Sequence, residues 1–219
     1  MPSEKNNQTI LVCFAVSQEA APFRRFISAR QENIQILLTG IGQKNAEKTL
    51  RQKLETLRPE MVLSCGFAGG LNPDFSVGQV IFSADSNFPL TSRWLSAGAV
   101  PARFYFSNRI ITTAEEKKSL RQSTGADAVE MESQIIRKLC GEQNIPSATL
   151  RVISDAAHEN LPLDFNLLLT PEYHLHYGKL MRAILCSPKK INGLLRLQRQ
   201  TKMAAEKLSA VLQTIFVKE

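Results

Sequence analysis

Two short motifs in the second half of the chain place acidic residues where they could perform chemistry. Met131 and Glu132 stand near the start of an apolar-periodic segment, 130–140, that predicts a helix. Ser154 and Asp155 end an apolar segment that predicts a strand. Because α/β folds usually bind ligands where strands end and helices begin, we expect both carboxylates at one site. One could accept hydrogen bonds from sugar hydroxyl groups and the other could protonate a leaving base, the two tasks that cleavage of an N-glycosidic bond requires.

A third acidic residue, Glu19, follows the first predicted strand and could face the same ligand. Each acid also has a structural explanation. An acidic residue in the first turn of a helix is favoured by the helix dipole, which would account for Glu19. Asp155 could cap a following helix, and Glu132, on the inward face of an apolar helix, could be held by other polar groups of the protein. The sequence leaves these alternatives open.

Two glycine-rich segments follow predicted strands, and each could bring the backbone close to a ligand. TGIGQKNA, residues 39–46, lies between a strand and a helix. CGFAGGLNPDFSVGQVIF, residues 65–82, contains three glycines in the five residues 66–70. Either segment could instead be only a tight turn.

The remaining pattern alternates strands and helices, which predicts an α/β fold. Apolar segments predict strands at 10–16, 34–40, 61–65, 80–84 and 147–154, with a weaker one at 110–112. Apolar residues at helical spacing predict helices over 44–57 and 194–216. Residues 87–106 have no clear period, and their aromatic side chains could pack in the core or form one wall of a pocket.

The length of 219 residues fits one domain, with residues 1–9 as a polar tail and 10–219 as the folded part. The tail does not resemble a signal or transit peptide, and no apolar segment approaches the ~18 residues of a membrane span. None of the cysteines forms a C-x-x-C pair, which predicts reduced thiols in a cytoplasmic protein. They are Cys13, Cys65, Cys140 and Cys186.

The net charge of +7 is concentrated near the C-terminus, where residues 179–207 contain eight Lys or Arg and one acidic residue. This region could be a solvated helix face or could contact a membrane surface peripherally. It lacks interleaved aromatic residues and any helix-turn-helix or zinc-finger spacing, which argues against nucleic-acid binding. His174 and His176 have no third metal ligand nearby in the sequence, so no metal is expected, whereas His158 could line the rim of the pocket.

Taken in order, four motifs resemble those of the nucleoside phosphorylase and nucleosidase superfamily: TGIGQKNA, CGFAGGL followed by VGQVIF, AVEMES, and RVISDAAHE. This superfamily includes methylthioadenosine/S-adenosylhomocysteine nucleosidase, futalosine hydrolase and purine nucleoside phosphorylases. The resemblance runs from about residue 10 to residue 216. The C-terminal part, including LPLDFN and SPKKINGLLRL, is most similar to the hopanoid-associated phosphorylase branch. The resemblance implies a single α/β domain with a mixed central sheet flanked by helices.

The resemblance also implies roles for individual residues. Glu19 matches the acid that activates the attacking water in the nucleosidases, and Asp155 matches the acid that protonates the departing purine, with Ser154 beside it. Met131 and Glu132 match the residues under the ribose, where Glu132 holds the hydroxyl groups. Further substrate contacts are expected from Gly42, Phe67, Ala68 and Gly69.

The chain departs from the family pattern where phosphate would bind. Phe67 stands where the family usually has Ser or Thr, and Ser64 stands where many purine phosphorylases have Arg. The G-D-P-x-R turn is absent after the first strand, and Gln79 replaces the Asp of VGD. Residues 109–111 occupy the stretch that carries the purine-stacking aromatic residue in methylthioadenosine nucleosidase. A weakened phosphate site favours water as the nucleophile.

These observations predict an enzyme that cleaves the N-glycosidic bond of a purine nucleoside, with adenine as the favoured base and water as the nucleophile. The alternatives are phosphorolysis by a nucleoside phosphorylase and a non-catalytic nucleoside-binding protein of the same fold. The resemblance implies no cofactor, apart from phosphate as co-substrate if the enzyme is a phosphorylase. The expected partners are the nucleoside substrate and further copies of the chain in a homo-oligomer.

Overall fold

Residues 9–27, 33–168, 170 and 190–214 are described by the computed structural model. Several predictions fall outside these residues. They concern the polar tail, Cys186, His174, His176 and the basic region before Lys190.

Eight strands and six helices form the described part of the chain. The strands are β1 Ile10–Phe14, β2 Ile34–Leu38, β3 Met61–Gly70, β4 Val80–Ser83, β5 Val100–Pro101, β6 Phe104–Phe106, β7 Ala128–Glu130 and β8 Ser147–Asp155. The helices are α1 Ser17–Ile27, α2 Gln43–Thr56, α3 Thr91–Ser96, α4 Ala114–Thr124, α5 Ser133–Glu142 and α6 Ile191–Gln213. A single 3-10 turn spans Phe165–Leu167.

One mixed sheet contains all eight strands. Its main path runs β2-β1-β3-β8-β4-β5, and β7 pairs with both the end of β3 and β6. Strands β2, β1, β3 and β8 are mutually parallel, whereas β4 is antiparallel to β8 and β7 is antiparallel to β3. The predicted mixed sheet is therefore confirmed. Because parallel strands end at the same edge, the residues that follow β1, β3 and β8 meet there.

Helices cover both faces of the sheet, and the alternation of side chains along β1 shows how. Val12 and Phe14 pack on one face with residues of α1 and α6, whereas Leu11 and Cys13 pack on the other face with residues of α2 and α5. Successive strand residues point to opposite faces, so a strand covered on both sides must be apolar throughout. Each fully buried Leu or Phe in these layers contributes roughly 1.5–3 kcal/mol relative to an exposed one.

The structure corrects two boundaries that matter for the site. Strand β3 continues to Gly70 where a glycine turn was expected after Cys65, because residues 62–69 pair with β8. Helix α5 begins at Ser133, and the residues before it form strand β7, so Met131 and Glu132 lie at a strand-to-helix junction. The expectation that Glu132 lies on the inward face of a helix was therefore wrong.

Other predictions between β3 and β7 also need correction. Residues 110–112 form no strand, and residues 87–106 contain α3, β5 and β6. Trp94 of α3 is fully buried, with its ring centroid 5.5 Å from those of Phe82 and Phe88, so this part of the segment packs in the core. Helix α4 was not predicted. Its start is fixed by a capping box in which Thr113 and Glu116 satisfy each other's backbone N–H groups.

Candidate active site

A cavity of about 260 Å³ opens at the edge of the sheet where the parallel strands end. Its lining includes the acids Glu19, Glu132 and Asp155, which come from three separate parts of the chain. Of the other predicted site residues, all but Gly42 also line it, namely Phe67, Ala68, Gly69, Met131 and Ser154. His158 is not among the lining residues. The topology therefore brings together the residues that the motifs singled out.

Glu19 projects from the first turn of α1 onto strand β3. One carboxylate oxygen accepts hydrogen bonds from the backbone N–H groups of Ala15 (3.0 Å) and Val16 (3.1 Å), and the other accepts one from Phe67 (2.8 Å). The residue is buried, and burial raises its pKa above the ordinary value despite these hydrogen bonds. A buried carboxyl with a raised pKa is a better proton acceptor than an exposed one. Glu19 therefore lies both in the first turn of helix α1, where the helix dipole favours an acid, and in the lining of the cavity.

The backbone of β3 passes close to Glu19 because residue 66 is glycine. A Cβ atom at Gly66 would lie 2.7 Å from both Glu19 Oε1 and Arg151 Nη1, and the φ angle of Gly66 is +153°. A side chain at this position would displace the carboxylate, the guanidinium or the strand. The glycine is thus required for the close approach of the Glu19 carboxylate and the Arg151 guanidinium to strand β3.

Glu132 is held at the junction between β7 and α5. Its Oε1 accepts a hydrogen bond of 2.8 Å from Gly42 N, and its Oε2 lies 3.4 Å from Arg151 Nη2. Burial raises the pKa of Glu132 to about 7, with Arg151 lowering it and Glu130 raising it. Gly42 contributes to the site through this hydrogen bond to Glu132, since it does not itself line the cavity.

Glu130 is the fourth buried acid of the site and lies at the same junction as Glu132. The sequence did not indicate a role for it. Its carboxylate accepts hydrogen bonds from Glu132 N, Ser133 N and Ser133 Oγ at 2.7–2.9 Å, and it pairs with Arg151 at 2.6 Å. Burial pushes the pKa of Glu130 upward, but Arg151 and these donors outweigh it, so the pKa lies below its ordinary value. Glu130 therefore anchors the backbone that carries Glu132.

Arg151 is the cation that holds this group of acids together. It lies in β8, is 1% exposed, and contacts Glu130, Glu132 and Ser64 Oγ. Burial lowers the pKa of Arg151, but the surrounding carboxylates raise it further, so the guanidinium stays charged. Burial raises the pKa values of all three acids and Arg151 lowers them; burial prevails at Glu19 and Glu132, whereas at Glu130 Arg151 and the hydrogen bonds from residues 132 and 133 prevail.

Asp155 ends strand β8 on the other side of the cavity. Its Oδ1 accepts a hydrogen bond of 2.6 Å from Ser154 Oγ, and its Oδ2 accepts one of 2.5 Å from Lys117 Nζ. Ser154 and Asp155 both line the cavity although successive strand residues normally alternate, because the pairing of β3 with β8 shifts register there. No helix begins directly after Asp155, so the alternative of a helix cap was wrong.

The two ends of the site are connected by β3. Gly66 lies beside Glu19, and a Cβ atom at Gly69 would be 3.5 Å from Asp155 Oδ2. Two residues lie between these glycines, so the three steps of extended chain span about 10 Å. Glu19 and Asp155 therefore lie beside two separate positions of the glycine-rich part of β3.

The outer walls of the cavity are largely apolar. They are formed by Ile41, Ile110, Ile111, Leu161, Phe165 and Leu197. Asn166 joins two of these walls, since its carboxamide accepts a hydrogen bond from Ile110 N and donates one to Ile110 O, both at 2.9 Å. Arg109 also lines the cavity, where it pairs with Glu116 at 2.6 Å.

Three residues that shape the site were missed from the sequence, and two of them left a signal. Arg151 interrupts an otherwise apolar strand, and a charged residue in a strand buried on both faces must be paired. Glu130 is a second acid in the AVEMES motif, at a position from which its carboxylate accepts hydrogen bonds from backbone N–H groups two and three residues on. Lys117 follows the capping-box pattern of α4, although that pattern does not indicate that the lysine is buried.

The fold and the site together define an α/β domain with a cavity lined by carboxylates at the ends of parallel strands. The family model described as the phosphorylase superfamily matches residues 15–98 and 99–185. The chain belongs to this superfamily, as the four motifs indicated.

Similarity to individual proteins agrees with this membership. A 5′-methylthioadenosine/S-adenosylhomocysteine nucleosidase from Anoxybacillus flavithermus is 26% identical over 225 residues, which cover 80% of this chain and 97% of that protein. Futalosine hydrolase of Helicobacter pylori has a TM-score of 0.67 at 16% identity, covering 94% of this chain and 97% of that chain. A 5′-methylthioadenosine/S-adenosylhomocysteine nucleosidase from Neisseria meningitidis, in complex with methylthio-immucillin-A, has a TM-score of 0.66 at 17% identity, covering 95% and 98%. The two structures show that the fold is shared.

Proposed function

We propose that this protein hydrolyses the N-glycosidic bond of a purine nucleoside, with adenine as the favoured base. The observation that carries the proposal is the position of Glu19 and Asp155 at opposite ends of the glycine-rich part of β3, with Glu132 between β7 and α5. Superfamily membership and the similarity to nucleosidases support the same reaction. The names of those nucleosidases refer to adenine nucleosides, which supports adenine as the base.

In the proposed reaction, Glu19 accepts a proton from water as the water oxygen attacks the anomeric carbon of the sugar. The electrons of the carbon–nitrogen bond pass to the purine, and Asp155 protonates an imidazole-ring nitrogen of the departing base. Glu132 accepts hydrogen bonds from the ribose hydroxyl groups. The sugar becomes cationic as the bond breaks, so nearby carboxylates stabilise the transition state more than the ground state.

The charges in the site favour water over phosphate as the nucleophile. A phosphate dianion needs several donors or cations to replace its hydration. Arg151 is already paired with Glu130 and Glu132, and Phe67 N already donates to Glu19. In the first glycine segment, Gly40 N donates to Ala15 O and Gly42 N donates to Glu132. A dianion at this place would face three acids that share one guanidinium.

The test is base release from adenosine and 5′-methylthioadenosine, with and without added phosphate, together with identification of the sugar product. We expect free base and free sugar without phosphate, and we expect Glu19→Gln to lower kcat by ~10²-fold or more. The control is Glu55→Gln, which makes the same chemical change on the exposed side of α2. Strict dependence on phosphate with a sugar 1-phosphate product would show a phosphorylase, and binding of nucleosides without turnover would show a non-catalytic protein.

We further propose that the protein is cytoplasmic, acts without a metal or organic cofactor and assembles as a homo-oligomer. The buried thiols of Cys13, Cys65 and Cys140 support a reducing environment. Among the described residues, no helix has both the length and the apolar composition of a membrane span. Contact of the basic C-terminal region with a membrane surface, and the closer resemblance to the hopanoid-associated branch, stay predictions.

A further inference from the structure

Lys117 is a fully buried lysine that contacts Asp155 of the candidate site. Its side chain is 0% exposed, and it comes from α4, an element that contributes no other group to Asp155 in the described contacts. The Nζ atom lies 2.5 Å from Asp155 Oδ2, 2.8 Å from Ala156 O and 3.0 Å from Glu159 O. An ammonium group has three N–H donors, so these three acceptors use all of them.

The two carboxyl oxygens of Asp155 have different partners. Lys117 Nζ already donates a hydrogen bond to Oδ2, so a proton on that side of Oδ2 would clash with the donated hydrogen. The other oxygen, Oδ1, lies 2.6 Å from Ser154 Oγ. The Ser154 hydroxyl also lies 3.3 Å from Ala68 O, and its single hydrogen can point to either acceptor. When it points to Ala68 O, Oδ1 no longer accepts the Ser154 hydrogen bond and can carry a proton.

We propose that Lys117 is a positioning residue for departure of the base, and this inference rests on the proposed function. Lys117 holds the Asp155 carboxyl in place through Oδ2, which leaves Oδ1 to carry the proton, and Lys117 faces the charge that Asp155 acquires in the reaction. As the bond between the sugar and the base breaks, the proton on Oδ1 moves to the purine nitrogen, and Asp155 becomes a carboxylate. The negative charge then develops 2.5 Å from the Lys117 ammonium.

The physical effect is electrostatic stabilisation by a fixed group. A buried ammonium group that is already hydrogen-bonded to the carboxyl group requires no reorganisation when negative charge develops on that carboxyl. A purely structural role is the competing explanation, because the bonds to Ala156 O and Glu159 O also tie the segment after β8 to α4. The two roles differ in one respect: only the proposed role depends on whether the leaving group needs a proton.

Lys117→Met tests the proposal, because Met has a similar length and no charge. For adenine release we expect kcat to fall by ~10-fold or more while KM changes by less than about threefold. For 4-nitrophenyl β-riboside, whose leaving group departs without a proton, we expect kcat to change by less than about threefold. Lys118→Met is the matched control, since Lys118 is the next residue of α4 and is exposed. An equal loss on both substrates, or no loss of adenine release, would overturn the proposal.

A second measurement keeps the test sharp if Lys117→Met is poorly folded or the riboside is a poor substrate. In the double variant Lys117→Met/Asp155→Asn, both charges are removed together, so no unpaired buried charge remains. If Lys117 acts only through Asp155, the double variant should match Asp155→Asn alone in kcat within about twofold. A further loss of tenfold in the double variant would show that Lys117 acts independently of Asp155. If the wild-type protein releases no base at all, the proposed function fails first, and that result is distinct from any of these.

Discussion

At the residue scale, burial and one shared guanidinium set the pKa values of the carboxylates around Arg151. Arg151 pairs with Glu130 at 2.6 Å and with Glu132 at 3.4 Å. The closer acid has a lowered pKa, and the more distant one has a pKa of about 7. This difference separates the roles, because Glu130 is a permanent anchor whereas Glu132 changes its charge near neutral pH.

Glu132→Gln should therefore discriminate between substrates. The amide keeps the shape of the side chain but loses the charge and one acceptor. The loss in kcat/KM should therefore be at least ~10-fold larger for ribosides than for the matching 2′-deoxyribosides. The measurement is kcat/KM for a riboside and its 2′-deoxy counterpart with wild type and variant. Equal losses on both substrates would show that Glu132 is a structural buried glutamate.

At the element scale, strand β3 performs two tasks, since it pairs with β1 and β8 and also forms the floor of the cavity. Its glycines make both possible. At Gly66 a side chain would collide with Glu19 and Arg151, and at Gly70 a Cβ atom would lie 3.1 Å from Asp155 O. The strand can thus stay paired while acids from α1 and β8 approach it.

Gly66→Ala tests this requirement. We expect a loss of about 1–3 kcal/mol in the free energy of unfolding, from the crowded methyl group and the unfavourable φ, together with a clear loss of kcat because Glu19 is displaced. Gly141→Ala is the control, since a Cβ atom at Gly141 meets nothing within 4 Å and the residue lies in a helix. It should be neutral or slightly stabilising. Full activity and stability of Gly66→Ala would contradict the close contact.

At the scale of the whole molecule, the buried site lowers stability at neutral pH. The pKa of Glu132 is raised from 4.5 to about 7 in the folded state, so the folded protein keeps a proton that the unfolded chain has released. The stability contributed by this group is fully present below about pH 4.5 and is lost as the pH rises to about 7. Function thus requires a charge arrangement that folding alone would not favour.

Measuring the free energy of unfolding against pH checks this statement. Between about pH 4.5 and pH 7.5, Glu132→Gln should become more stable relative to wild type by an amount on the order of 3 kcal/mol, since the amide does not titrate. Urea unfolding at several pH values gives this difference directly. The control is again Glu55→Gln, whose stability should follow that of wild type at every pH. A constant difference between Glu132→Gln and wild type would mean that Glu132 does not titrate in this range.

The sequence by itself determined the architecture and the identity of the central acids. The apolar segments that became β1, β2, β4 and β8 and the helical spacing of α2 are local patterns, and local patterns follow from side-chain periodicity. The motifs around Glu19, Glu132 and Asp155 could be read because each combines a strand end with a chemically distinctive residue. Helix α4 and strand β7 were missed, since neither has an apolar pattern long enough to stand out.

Only the tertiary structure decided how these residues work together. The hydrogen bond from Gly42 to Glu132 joins residues 90 positions apart, and the pair of Lys117 with Asp155 joins residues 38 apart. No local pattern encodes such contacts, because they depend on strand order and on which side chains the packed layers bury. The same reason places Arg151 among three acids. Arg151 is buried because it lies in the central strand β8, and a buried charge must be paired.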